Sequence, residues 1–206
     1  MLVLASSSPR RKELLQEWGY EFGSVNAPVS EELEEGIVPE TGVQELARRK
    51  AFAGYEAWRN QDGSIYDMIL SADTIVVLDQ QIFGKPFDNA DAERMLRGLS
   101  GKTHKVMTGI ALAGLDHRRS IAVKTYVEVT IVSFRNLDSQ EILNYIASGE
   151  PMDKAAAYGI QGEAGKFAAE VKGSYTNVIG LPMELLSAKL KERGIFPTHK
   201  YFRQER

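Results

Sequence analysis

Residues 68–78 read Met-Ile-Leu-Ser-Ala-Asp-Thr-Ile-Val-Val-Leu, an eleven-residue apolar and β-branched run that reads as a central strand. A strand of that kind needs sheet neighbours and helices packed over it, and the remaining chain supplies both kinds of segment in alternation. The expected fold class is therefore α/β. One charged residue disagrees with the run. Asp73 sits in its middle, where a carboxylate is rarely buried unless it is paired or holds a cation.

Residues 1–5 predict a buried strand, and Pro9–Trp18 a helix with Ser8 at its cap, Pro9 at its first position and Gly19 just past its end. Residues 20–26 predict a second strand, and the acidic loop SEELEEG follows. Thr41 and Gln44 make a capping-box pattern that opens a helix to about Asn60. After the central strand, a turn at Gln80-Gln81 leads into a short strand at IFGKP, and Asp88 or Asn89 caps a helix ending near Ser100-Gly101. Two long strands then cover about 104–114 and 121–133. In the second, Ile121, Val123, Val127, Val129 and Ile131 alternate with Lys124, Glu128 and Thr130, which predicts one buried face and one wet face. Asp138 and Glu141 open a helix to Ser148, YGIQGEAGKFAAEVKGSYTNVIGLP reads as loops and short strands, and Pro182 starts a last helix running to Arg193 before Gly194. No linker divides the chain. All 206 residues are read as one domain, with room for two lobes around a cleft, and 195–206 as a C-terminal tail.

Composition narrows the function classes. A net charge of −3 gives no global bias toward nucleic acid, and no basic, aromatic-rich stripe suggests RNA binding, so anion binding has to come from local clusters. The absence of cysteine removes disulfides, thiolate nucleophiles and Cys-based zinc sites together. The first apolar run is too short for a secretion signal, and no segment approaches the roughly 20 apolar residues needed to span a bilayer. The expectation is a soluble, cytoplasmic protein with neither a membrane nor a nucleic acid as partner.

Three features are candidates for chemistry. In LASSSPRR, residues 4–11, a strand runs through Ser6, Ser7 and Ser8 into a helix whose first turn carries Arg10 and Arg11. Cations are misplaced beside the free N–H groups of a helix start. Either they point into water, or they face an anion that the turn also binds. Lys50 falls on the inward stripe of its helix with Val43, Leu46, Ala47, Ala51 and Gly54; it either snorkels to the rim or reaches a phosphate. Asp73 is either a turn residue taking local N–H bonds or a carboxylate that binds metal or accepts a proton from water. Lys85 in Gly84-Lys85-Pro86 reads as a plain loop lysine when taken alone, and Glu31, Glu32, Glu34 and Glu35 as a solvated loop. His104, His117 and His199 show no ligand spacing, and neither Walker A nor GxGxxG is present. What remains is a set of cations and one misplaced carboxylate, which suits metal-assisted hydrolysis of a polyphosphate.

The ordered set LASSSPRR, ARRKA around Lys50, SADTIVV around Asp73, GKP at Lys85, LSGKTHKVMTG, DKAAAYGIQG and GSYTNVIGLP resembles the Maf family of nucleoside triphosphate pyrophosphatases from about residue 2 to 186. The resemblance implies a fold akin to the inosine-triphosphate pyrophosphatases, a mixed twisted sheet with flanking helices and two lobes around a central cleft, in proteins that often form homodimers. It implies cleavage of a nucleoside triphosphate between its α and β phosphates, with Mg²⁺ or Mn²⁺ as cofactor. The family's proton acceptor falls on Asp73, and its phosphate contacts on Ser6, Arg11, Lys50 and Lys85, with Ser8 in the same turn. Its base-selecting positions fall on Arg10, Thr74 and Gln161. Glu31 matches an acidic position that helps hold metal, with Asp73 as a second metal candidate. YGIQG and GSYTNVIGLP look like the subgroup acting on dTTP and UTP. The alternative is a regulatory nucleotide-binding protein that restrains septum formation through a protein partner, which would need the phosphate cradle but not Asp73.

Overall fold

The computed structural model describes residues 1–62, 65 and 67–198; His199 and the YFRQER end of the expected tail lie outside the described residues. The element order is β1 (Leu2–Ala5), α1 (Pro9–Glu17), β2 (Phe22–Val25), α2 (Pro39–Asp62), β3 (Met68–Leu78), β4 (Gln81–Phe83), α3 (Asn89–Leu99), β5 (Thr103–Leu115), β6 (Ile121–Phe134), α4 (Ser139–Ala147), β7 (Ala168–Lys172), α5 (Tyr175–Ile179) and α6 (Met183–Lys191). The strands form one seven-stranded mixed sheet in the order β2-β1-β3-β5-β6-β7, with β4 paired to β3, and helices flank it. β1 is parallel to both β2 and β3, while β4 runs antiparallel to β3 and β7 antiparallel to β6. No described helix is long and apolar enough to cross a membrane.

The central strand occupies the residues its sequence predicts, Met68–Leu78. Its β1 register ends at Leu70 and its β4 register begins at Val76, so Asp73 and Thr74 lie between those two pairings.

The chain separates into two compact units. One holds Met1–Asp73, Gly109–Val127 and the chain from Gly180 onward; the other holds Thr74–Thr108 and Glu128–Ile179. In the first, Val3, Ala5, Ala47, Ala51, Ile69 and Ala111 form the buried core under α2. Two glycines let that helix lie close to the strands. A Cβ on Gly54 would stand 2.4 Å from the Cβ of Ala5, and one on Gly109 would stand 2.4 Å from the Val43 carbonyl oxygen. In the second unit, Val76, Leu96, Val106, Phe134, Ile142 and Phe167 belong to the core.

Four sequence expectations are corrected here. Helix α2 begins at Pro39, not after Thr41: proline is pre-organised for a helix's first position, and the Val38 carbonyl already accepts the Gly42 N–H at 2.9 Å. The hairpin turn is Asp79-Gln80, not Gln80-Gln81. Both residues are left-handed, with φ of 50° and 67°, and Leu78 pairs with Gln81, the arrangement that matches strand twist in a two-residue hairpin. On β6 the expected alternation holds only at the start, where Ile121 and Val123 pack against the first unit's core; toward its end the buried side chains are Thr130, Val132 and Phe134, on the other face. Thr130 tolerates burial because its hydroxyl donates to the Ser174 carbonyl at 2.9 Å. Lastly, the glycine-rich stretch includes a helix, α5, whose start is capped by Ser174 Oγ accepting the Asn177 N–H at 3.1 Å.

His104 of β5 is buried at 2% exposure, with Nε2 2.8 Å from the Tyr158 hydroxyl and its ring edge-on to Phe134 at a 4.9 Å centroid separation. Burial pushes its pKa down from 6.5 to about 4. The folded protein thus binds this proton less readily than the unfolded chain does. Stability from this residue is complete above pH 6.5 and falls as the pH drops toward 4, by about 3 kcal/mol in all. Urea unfolding at pH 7 and pH 4.5 should show the loss, and His104→Phe should remove most of that difference; an unchanged pH slope in the variant would contradict the assignment.

Candidate active site

The β1–α1 turn is held from inside. Pro9 opens α1 and Ser8 occupies its cap position, but the Ser8 side chain makes no cap bond. Instead the Ser8 N–H and the Arg11 Nη1 both donate to Ser6 Oγ, each at 3.2 Å. With both acceptor positions of that hydroxyl taken, its own proton is what Ser6 presents, a donor suited to an anionic oxygen. Arg11 Nε donates to the Gly180 carbonyl at 2.8 Å, so the guanidinium is turned back against the protein and does not point into water. Burial lowers the pKa of Arg11; Asp73 opposes that shift, Arg10 adds to it and Glu31 opposes it. Arg10, Arg11, Asp73 and Glu31 therefore share one electrostatic neighbourhood.

Lys50 completes it. The α2 stripe that buries Val43, Leu46, Ala47, Ala51 and Gly54 carries Lys50 on the same side, and its side chain is only 16% exposed. The ammonium does not snorkel away. It makes an ion pair with Asp73 Oδ1, whose side chain is 12% exposed, and a second with Glu31 Oε1 at 2.6 Å. Asp73 is thus the paired buried carboxylate that its strand context demanded, not a turn residue taking local N–H bonds. Glu31 comes from the acidic loop, whose register could not be fixed from the sequence. Two carboxylates meeting at one cation form a hard-oxygen donor set. Among the described residues no group of three or more His, Cys, Asp or Glu side chains is placed to hold a metal. Glu31 and Asp73 together fit Mg²⁺ or Mn²⁺ of the kind held by one or two carboxylates plus substrate phosphate oxygens.

The other expected residues belong to the second unit. Thr74 is half-buried and its hydroxyl lies 3.0 Å from that of Thr108. Lys85 is exposed on a turn that is fixed through its neighbour, since the Gly84 carbonyl accepts the Ala156 N–H at 2.8 Å. Ala156 and Ala157 are both left-handed, with φ of 53° and 62°, a conformation alanine adopts only where the surroundings impose it. Gln161 is exposed, and the loop bearing it is tied down by Glu150. That carboxylate accepts the Glu163 N–H at 3.3 Å and the Tyr145 hydroxyl at 3.1 Å, and lies so close to Gly162 that a Cβ there would stand 1.9 Å from it. Glu150, Thr108 and Asn177 are the site-supporting residues that sequence reasoning missed. Thr108 and Asn177 stand within quoted motifs; Glu150 carries no local signal beyond its place between Gly149 and Pro151.

The structure thus brings Ser6, Arg11, Glu31, Lys50 and Asp73 into one cluster, and places Thr74, Lys85 and Gln161 on supported segments of the second unit. Comparison with known proteins bears on the family of the chain. The family of Maf-like proteins matches residues 1–193. A dTTP/UTP pyrophosphatase of Desulfitobacterium hafniense (strain Y51) is 53% identical over 95% of this chain and 86% of its own length. One from Shewanella sp. (strain MR-7) is 45% identical over 94% and 98%. Among solved structures, a HAM1 protein from Coxiella burnetii is 19% identical with a TM-score of 0.47, covering 93% of this chain and 98% of that one. This chain belongs to the Maf-like protein family.

Proposed function

We propose that this chain is a nucleoside triphosphate pyrophosphatase acting on dTTP and UTP. The observation that carries the reading is the Lys50 ammonium held between Asp73 and Glu31 beside Arg11, a cation-rich cluster around one carboxylate that has no structural need to be in a central strand. The 44–53% identity to proteins named dTTP/UTP pyrophosphatase supports the substrate class.

In this reading a water attacks the α-phosphorus and passes its proton to the Asp73 carboxylate, the α–β bridging bond breaks, and pyrophosphate leaves from the nucleoside monophosphate. Lys50 orients Asp73 and offsets phosphate charge. Arg11 and the Ser6 hydroxyl donate to phosphate oxygens, with Ser8 and Lys85 as further contacts. Arg10, Thr74 and Gln161 select the base. Glu31 and Asp73 would hold the divalent cation, which when bound neutralises the triphosphate and polarises its phosphorus–oxygen bonds.

The test is pyrophosphate release from dTTP, UTP, CTP and dGTP with Mg²⁺, with Mn²⁺ and with a chelator. Release from dTTP and UTP in metal, and none with chelator, is the expected result. Nucleotide binding with no release would instead favour a regulatory nucleotide-binding protein.

A further inference from the structure

The residues on either side of Gln161 are held from three directions. Tyr158 is buried, with its hydroxyl 2.8 Å from Nε2 of His104 on β5. The Ile160 carbonyl accepts the hydroxyl of Tyr175, at the start of α5, at 3.3 Å. Beyond Gln161, the Glu150 carboxylate lies against Gly162, where a Cβ would stand 1.9 Å from Oε1 and 2.6 Å from Oε2. The same carboxylate accepts the Glu163 N–H on Oε2 at 3.3 Å. Gln161 itself is exposed, so a pinned stretch of backbone carries it at the surface.

The group that holds Gly162 is itself fixed. Tyr145 is fully buried and donates its hydroxyl to Glu150 Oε1 at 3.1 Å. The Glu150 N–H donates to Ser148 Oγ at 3.2 Å, and the Glu150 carbonyl accepts the Lys154 ammonium at 2.8 Å. The Lys154 stem then fills the space beside Gly159, where a Cβ would stand 2.5 Å from its Cε. Glu150 is half-buried, and a carboxylate partly out of water is costly unless donors meet it. Because a carboxylate only accepts, neither the Tyr145 contact nor the Glu163 contact can reverse its direction.

We infer that Glu150 is a positioning residue for base discrimination: it pins Gly162, and through it the Gln161 backbone, so that a one-ring base is met by the Gln161 amide and a two-ring base cannot push the loop aside. This rests on the reading above in which Gln161 meets the base. A side-chain amide alone discriminates poorly by size, since it follows whatever backbone carries it. A backbone fixed before the ligand arrives adds no ordering cost for the base that fits, and turns a larger base into a clash.

The experiment compares kcat/KM for dTTP and dGTP in the full-length protein. Glu150→Met keeps the length of the side chain but accepts neither hydrogen bond. The dTTP-to-dGTP ratio is expected to fall about tenfold, the worth of one lost hydrogen bond, with the dTTP loss carried by KM and its kcat within about twofold of wild type. Glu150→Gln is expected to keep most of the ratio: its amide oxygen still accepts the Glu163 N–H, and its NH₂ donates to the Tyr145 hydroxyl, which turns to accept. A merely structural role would lower both nucleotides alike, and an unchanged ratio in Glu150→Met, or an equal fall in Glu150→Gln, overturns the inference. Gln161→Ala separates it from the reading beneath it. If Gln161→Ala lowers the ratio and Glu150→Met does not, the inference fails while the role of Gln161 stands; if Gln161→Ala leaves the ratio unchanged, both fail. Should Glu150→Met not fold, Gly162→Ala presses on the same contact from the other side: a lowered ratio supports the inference and an unchanged one overturns it.

Discussion

Asp73→Asn is expected to lower kcat for dTTP by about 10³-fold, within the range that a positioned general base contributes. The amide is nearly isosteric and its oxygen can still accept from Lys50, so the local geometry should survive. The amide cannot take a proton from water. Binding should hold or tighten, because removing one negative charge leaves Lys50, Arg10 and Arg11 less offset toward an anionic triphosphate. Titration calorimetry with dTTP alongside single-turnover pyrophosphate release separates the two effects. Wild-type turnover in this variant would remove Asp73 from the mechanism; equal loss of binding and turnover would make it a ligand-holding group instead.

Lys50→Met should be nearly as damaging, for a different reason. Methionine keeps the unbranched stem along the α2 stripe but leaves Glu31 and Asp73 converging with no ammonium between them. Two carboxylates in a half-desolvated place repel one another and repel the incoming triphosphate. A fall of about 10²- to 10³-fold in kcat/KM is expected, shared between kcat, because Asp73 loses the group that orients it, and KM, because the triphosphate loses a counter-charge. Raising the divalent metal concentration should recover part of it, since a second cation can occupy the charge deficit. A variant that keeps kcat/KM within threefold of wild type would show that the ammonium is only a structural counter-ion. The double variant Asp73→Asn with Lys50→Met is informative about folding as well. It removes both members of the pair, so it should be more stable than Lys50→Met alone while remaining inactive.

The parts of this fold that were legible in the sequence are those fixed by local rules. β3 could be bounded to the residue because its run of apolar and β-branched side chains is interrupted only by Ser71 and Asp73. Helices α3 and α4 begin where Asp88 and Asp138 can accept N–H groups of the first turn, and both do so. Local rules failed where two signals competed. At α2 the capping-box pattern of Thr41 and Gln44 masked Pro39, and in the last third of β6 the alternation of hydrophobicity gave the wrong face because Thr130 was counted as polar before its hydrogen bond was known. The site divides in the same way. Lys50 and Asp73 each declared themselves as a charge in an apolar pattern, but their contact joins positions 23 apart and could not be read from either. Thr108 declared nothing, since a buried threonine in a strand is ordinary.

Gly54 and Gly109 set how closely helix α2 lies against the strands, and that closeness governs more than packing. Lys50 stands on the same helix about one turn from Gly54, and the offset between helix and strands determines where the end of a long, flexible side chain can settle. At this spacing the ammonium reaches both Asp73 and Glu31. A methyl group at either glycine would need about 1 Å of additional clearance, and a displacement of that size in a catalytic constellation is itself worth about 10²-fold in rate. The tolerance of the charge cluster is therefore set in the apolar seam beneath it, at two positions where a hydrogen atom fits and a methyl group does not.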